Sequence, residues 1–448
     1  MGEPSKNPLA LDVSLPALLK FALPSMAGMI FMGLYTIGDT VIVARLVNTD
    51  ALSSINIATP IINIIVGLGT MLATGGSAII AGKMGAGKLT EAWQDFSLIT
   101  VSGAALGIAI AILGTLLMDR LIWSLGASQR LFPYCKAYLS ILLVFTPASI
   151  LQVLFQNLII TAGRPGLGMA FSVGAGAVNV FLDCLFIHFF DMGIQGSALG
   201  TGVGYLISAA LGGAFFLSGK GHLKFRRPVL RLKVLAISCS NGCSELVSQA
   251  SSAVTTFLFN RSMMGLLGED GVAAVTIMIY LQFLLTTLFI GFSMGTAPVI
   301  SYYYGRKDLL SLKKIFRICL GLTSGISVFV FLFTIGFGSF LAGIFSPKGT
   351  PVYAITREGF SIFPFAFLFC GINIFASAAF TALSDGKRSA FLSFLRTFGL
   401  ITVFLLTLPE IFGVRGVWMA VPAAELITMT IAIFLIRRFW MQRKSPNF

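Results

Sequence analysis

The sequence predicts an all-α membrane protein with twelve transmembrane helices, arranged as two six-helix bundles related by a pseudo-twofold axis. Three observations carry that expectation. The 448-residue chain is too apolar for a soluble domain, with 56% hydrophobic and 11% charged residues and a mean hydropathy of +0.92. Its charged residues gather in short clusters between apolar stretches of roughly 20 to 30 residues, each able to cross a hydrocarbon core of about 30 Å as a helix. The two halves of the chain also repeat the same order of loops and turns.

Taken in order, the apolar runs give spans near 15–46, 50–81, 92–118, 131–161, 166–189 and 193–218, then 234–264, 270–303, 309–340, 351–383, 388–408 and 414–437. They must be helices, because an open strand edge cannot be satisfied in lipid. The polar start up to Ser14 leads into an apolar run too long for a signal peptide, so we expect it to be retained as the first helix. The basic stretch "GKGHLKFRRPVLRLK" joins the halves. The expected domains are therefore a lobe at 1–218, a cytoplasmic linker at 219–233 and a second lobe at 234–448. Most of the 31 Lys and Arg fall on the side holding both termini. That bias predicts cytoplasmic termini in a multi-pass protein of the inner (plasma) membrane.

The net charge of +14 is explained by topology and anionic lipid, and no basic stripe with interleaved aromatics points to nucleic acid. Membrane lipids are expected partners, and the chain is expected to be a monomer. The six Cys residues (Cys135, Cys184, Cys239, Cys243, Cys319 and Cys370) lie mostly inside apolar segments and read as small hydrophobes rather than a disulfide framework.

The duplication is visible when residue 85 is set on residue 305 and that offset is kept throughout. "NTDALSSI" falls on "GEDGVAAV", "GKMGAGKL" on "YYYGRKDL", "TAGRPG" on "TALSDG" and "MGIQGSALG" on "FGVRGVWMA". Identities such as Gly85/Gly305, Thr161/Thr381 and Gly196/Gly416 are unremarkable singly; the register of turns carries the inference. Six spans per half keep both copies in one orientation, so the pseudo-twofold axis lies along the membrane normal.

A carboxylate at bilayer depth costs on the order of 3 kcal/mol, so each one needs a partner, a proton or a function. Asp39, Asp183, Glu245 and Glu425 are the acids so placed. At 1.5 Å per residue, Asp39 and Asp183 each lie roughly 10 Å below the outer end of their spans and Thr201 about 12 Å, which puts them in one layer. Asn179 sits one turn from Asp183, and Tyr35 and Tyr205 stand four residues from Asp39 and Thr201. Two carboxylates, an amide and a hydroxyl in a low-dielectric pocket suit exchange of a proton or of a small hard cation. Asp39, Asn179, Asp183 and Thr201 are thus the candidate cation-coupling site, and the metal ligands if the ion is Na+. The competing reading is that each acid faces a solvated crevice alone.

In the second half, Glu245 lies about 16 Å into its span, with Gln249 one turn on and Gln282 in the next span. Together with Tyr35, Met32 and Tyr205 these are candidates for a substrate cavity, although Glu245 fits a helix-packing hydrogen bond equally well. Arg396 can reach Glu425, and a structural ion pair is the expectation there. His188 and His222 read as interfacial. Pro24, Pro60, Pro147, Pro298, Pro364 and Pro422 fall inside spans and permit kinks; Pro24 shares its span with Asp39 and is the candidate hinge.

These segments resemble a family, the multidrug and toxic compound extrusion transporters, and within it the DinF-like branch. The resemblance covers nearly the whole chain and rests on "FALPSMAG", "YTIGDTVIVARL", "QNLIITAGRP", "NVFLDCLFI" and "GIQGSALGTGVGY" in that order. It implies two bundles around a central cleft and cation-coupled antiport of amphipathic, often cationic, organic compounds. It also implies that Asp39, Asn179, Asp183 and Thr201 match the N-lobe cation site of the branch, and that Pro24 matches a proline linked there to bending. Glu245 resembles an acid of other branches, whose partner acid is absent from "FCGINIFASAAF"; the expected coupling shifts to the N lobe.

The expected function is therefore multidrug efflux in exchange for H+ or Na+ by alternating access, with no cofactor and no enzymatic activity, since no nucleophile, His or paired acid stands ready at a reacting bond. Met26, Met29 and Met32, three residues apart, suit a cleft for varied small organic substrates. The alternative is a flippase for a lipid-linked precursor, which would favour a basic cleft; Arg396 is the one deep base in the N-to-C reading of the spans.

Overall fold

The computed structural model describes residues 7–47, 49–219 and 221–443, and among these every regular element is helical. The elements are α1 (Leu15–Leu46), α2 (Thr49–Gly85), α3 (Leu89–Ser124), α4 (Phe132–Val144), α5 (Thr146–Thr161), α6 (Pro165–Cys184) and α7 (Gly193–Leu217). They continue with α8 (Leu232–Gly305), α9 (Leu309–Phe345), α10 (Pro351–Ile362), α11 (Phe365–Ala382), α12 (Gly386–Phe394), α13 (Leu400–Phe412) and α14 (Val414–Gln442).

Ten described helices are long and apolar enough to cross a membrane, and α4 with α5, bent by 55°, makes an eleventh crossing. The twelfth comes from α8, whose 74 residues hold two crossings separated at Gly268 (φ 64°, ψ −148°). Only glycine adopts that conformation without strain, so the return between the two crossings needs no loop. The twelve spans read from the sequence thus stand, with small shifts at their ends.

Proline and backbone chemistry account for the irregular points. Pro147 follows the α4–α5 bend and Pro364 caps α11 where α10 stops, each where a missing N–H would otherwise break a helical ladder. Pro24 is different: α1 runs unbroken through it. Two π-helical stretches, Leu185–Phe189 after α6 and Leu395–Gly399 between α12 and α13, were not foreseen, since hydropathy carries no trace of one extra residue per turn.

The lobes meet mainly through α1 and α2 against α8. A Cβ at Gly85 would run into the Tyr302 carbonyl, and one at Gly305 into the Gly82 carbonyl. These two contacts are exchanged by the internal duplication, as a twofold axis demands. The same holds one layer deeper, where Gly75 meets Ser238 and Gly242 while Gly295 meets Ala22 and Ser25. All these approaches lie in the half of the molecule nearest the termini. Near half-depth the lobes still touch, Asn63 Nδ2 donating to Ser252 Oγ at 3.2 Å and Gly33 facing Thr287. The cleft is therefore closed on the termini side by these contacts.

Polar groups reinforce the seal. Buried Asp95 on α3 pairs with Lys83 of α2 at 2.5 Å and with Arg231, just before α8, at 3.6 Å. The connecting segment is pinned to the same helix: Trp93 Nε1 donates to the His222 carbonyl at 2.7 Å and the Arg226 N–H donates to Ser97 Oγ at 2.9 Å. His222 is partly buried there, and desolvation, followed by nearby Arg164 and Lys224, holds its imidazole below the usual range. The register mate of Arg231 is Leu11 in the first lobe, whose carbonyl accepts from Tyr303 Oη of the second lobe at 2.5 Å.

Candidate functional site: a carboxylate pocket in the N lobe

A cavity of about 170 Å³ opens among α1, α2 and α4 to α7 and is lined by Met32, Tyr35, Asp39, Asn179, Thr201 and Tyr205, among others. Each helix delivers its side chain for a local reason. Asp39, Tyr35 and Met32 recur at three and four residues along α1 and so share one face. On α6, Asn179 and Asp183 are one turn apart, and Thr201 and Tyr205 repeat the spacing on α7. Small residues bring α6 close to both α7 and α1: a Cβ at Gly200 would strike Asp183 Oδ1, and one at Gly176 would lie 3.0 Å from the Tyr35 ring.

Asp39 and Asp183 come near enough to act directly on each other. Asn179 Nδ2 donates to Thr201 Oγ1 at 3.2 Å. Its Oδ1, one oxygen of Asp39 and both oxygens of Asp183 have no hydrogen-bond partner in the protein. Buried acceptor oxygens left without donors make this an electron-rich region whose charge is tolerable only when a cation or protons share it. The chemistry of the donor set fits a proton or a small monovalent cation as transported cargo. Asp39 lines the cavity, whereas Asp183 is fully buried behind it.

The four residues read as one layer are brought together, and Met32, Tyr35 and Tyr205 join them. Glu245, Gln249 and Gln282 do not line this cavity. Gln249 packs against Gly67 of α2. Glu245, half-buried on α8, sits within electrostatic reach of Arg396. Arg396 Nε approaches Glu425 Oε1 at 3.8 Å, the pairing expected from the sequence. Asn373, at the point where "FCGINIFASAAF" lacks an acid, donates to Glu425 Oε2 at 2.6 Å.

The sequence reading missed Tyr138, Gln152 and Gln156 as cavity walls. Gln152 and Gln156 were findable, because two amides four residues apart inside an apolar span mark a polar face. Tyr138 carried no such signal.

The MatE family model matches the chain twice, over residues 24–185 and 246–407. The chain belongs to the MatE family. The two matches fall one in each half, so the MatE unit is itself the repeat inferred from the turn register. Among curated relatives, this MatE chain is similar to the multidrug export protein MepA of Staphylococcus saprophyticus, 22% identical over 423 residues that span 94% of this chain and 92% of the relative. Among solved structures, it superposes on a multidrug resistance MATE family transporter of the MOP superfamily in an outward-facing conformation. The TM-score is 0.93 at 20% identity, covering 99% of this chain and 100% of that one. A MATE structure in the straight conformation gives the same TM-score, identity and coverage. At such identity the likeness to solved structures establishes the twelve-helix fold alone; the site rests on the geometry above.

Proposed function

We propose that this protein is a secondary antiporter that exports amphipathic or cationic organic compounds in exchange for H+ or Na+ by alternating access. The observation that carries the proposal is the meeting of Asp39, which lines an N-lobe cavity with Asn179 and Thr201, and Asp183, buried directly behind that cavity. The multidrug export function named for the Staphylococcus relative supports the substrate class. We assign the chain to the DinF-like branch on the motifs of α1, α6 and α7, and take residues 1–218 and 234–448 as the two moving bodies joined by 219–233. It works as a monomer in the plasma membrane with both termini cytoplasmic, so the described conformation faces outward.

In that conformation a cation or proton enters from outside and joins Asp39 and Asp183, which already share one proton, so that the pair loses its remaining negative charge. With the pocket neutral, α1 bends near Pro24, contacts to the substrate from Met32, Tyr35 and Tyr205 loosen, and the substrate leaves. The lobes then rock, the ion departs inward and a new substrate binds. Each elementary charge crossing 100 mV supplies about 2.3 kcal/mol, enough to drive a useful concentration ratio.

The test is transport of ethidium by proteoliposomes under imposed proton or sodium gradients, comparing wild type with Asp39→Asn. Gradient-driven export should fall to the passive leak in the variant. Unimpaired export under both gradients overturns N-lobe coupling.

A further inference from the structure

The internal duplication allows the two lobes to be compared residue by residue, and their polar interiors differ in one respect. Two of the positions lining the N-lobe cavity are Gly176 and Tyr205. Their register mates in the C lobe are Arg396 and Glu425, and these two are the ion pair at 3.8 Å. At the positions where the first lobe has Gly176 and Tyr205, the second therefore carries a guanidinium and a carboxylate. The mates of Asp39 and Asp183 are Phe259 and Val403, so the carboxylates of the C lobe come from other places, Glu425 on α14 and Glu245 on α8.

We propose that Arg396 is a tethered counter-ion: it permanently fills the cation position of the C lobe and thereby confines ion exchange to the N lobe. This inference rests on the reading that Asp39 and Asp183 exchange the coupling ion.

Glu425 is 3% exposed, and its two carboxyl oxygens face Arg396 and Asn373. The groups facing Arg396 are Glu425 from α14, Glu245 from α8 and the buried Cys370 thiol from α11. A guanidinium stays protonated at any accessible pH, so the pair cannot release a proton, and a side chain cannot diffuse away when the cleft opens. A carboxylate held this way offers no vacancy to H+ or Na+. The N-lobe pocket has the opposite composition: Asp39 lines it, Asp183 lies buried behind Asp39, and no base is among the lining residues. Both pockets are balanced, one by a mobile cation and the other by a covalently attached one. Asn373 fixes the carboxylate from the other side, so that Glu425 keeps its orientation whichever way the cleft faces.

The experiment measures ethidium efflux from proteoliposomes holding the full chain, as a function of external proton and sodium activity. Wild type should respond with a one-site slope, about tenfold per tenfold change in ion activity at low occupancy. In Arg396→Gln, Glu425 becomes available to an ion, and the slope should steepen towards two sites, up to about a hundredfold over the same interval. Arg396→Lys, which keeps the tethered charge, should keep the one-site slope. So should Arg396→Gln combined with Glu425→Gln, which removes both charges.

A monodisperse Arg396→Gln protein with an unchanged slope overturns the inference. If that variant fails to fold, Glu425→Gln alone decides: a retained one-site slope supports the inference, and a lost or shallower ion dependence shows that Glu425 exchanges ions and overturns it. Asp39→Asn in the wild-type background separates the two proposals. Ion dependence that survives there removes the N-lobe reading, whatever Arg396 does.

Discussion

At the scale of single residues, position behind a neighbour matters as much as identity. Asp183 is fully buried and rests against Gly200, the one residue type that leaves room for its carboxylate. Gly200→Ala should displace that carboxylate and weaken the coupling ion's apparent affinity by tenfold or more, about 1.4 kcal/mol, while far-ultraviolet circular dichroism stays native. The readout is the ion concentration giving half-maximal efflux. Asn179→Ala removes the donor to Thr201 and should cost about 1 kcal/mol of thermal stability, measured as a lowered Tm in detergent. Asp95 belongs to the seal rather than the pocket. Asp95→Asn leaves Lys83 and Arg231 with the more exposed Glu91 as their acidic partner and should destabilise the outward-open state by about 1–2 kcal/mol. Greater labelling of cysteines introduced on the termini side of the cleft would register it.

At the scale of elements, the spans were legible because hydropathy and punctuation report directly on what lipid tolerates. Even the break in α8 lay in the sequence, in "GEDG", where Gly268 separates two apolar runs. The layer shared by Asp39, Asp183 and Thr201 was legible too, because helical rise converts residue number into depth. What rise does not report is azimuth. Depth placed Glu245 near half-height, but its neighbour Arg396 follows from helix rotation and from the π-helical stretch Leu395–Gly399, which turns the side chains of α12 and α13 out of ideal register. Tyr138 was invisible for the same reason, since an aromatic in an apolar span carries no mark of the direction it faces. Deleting one residue within Leu395–Gly399 to restore an α-helical turn should separate Arg396 from Glu425. The expected result is a Tm loss with the C-lobe pair broken, read by comparison with Glu425→Gln, which then adds no further loss.

At the scale of the whole molecule, the two lobes keep one architecture and divide the chemistry. The seal uses equivalent residues from both, whereas the polar interiors have diverged into an open carboxylate pocket and a self-balanced one. The balance between outward-open and inward-open forms should therefore respond to changes at the seam from either lobe alike. Gly85→Ala and Gly305→Ala, each colliding with a carbonyl of the partner, should both destabilise the sealed form by about 1–3 kcal/mol and raise access from the termini side. Equal effects of the two, within about 0.5 kcal/mol, are the signature of the twofold.

At Gly75, Gly85, Gly242 and Gly305 the seam between α2 and α8 is main chain against main chain. Helical carbonyls and amides there already satisfy each other along their own axes. Parting two such surfaces costs no main-chain hydrogen bond and, among the described side chains, breaks the one from Asn63 to Ser252, so they can glide apart like plain bearings, and the pace of switching is left to the occupancy of the carboxylate pocket.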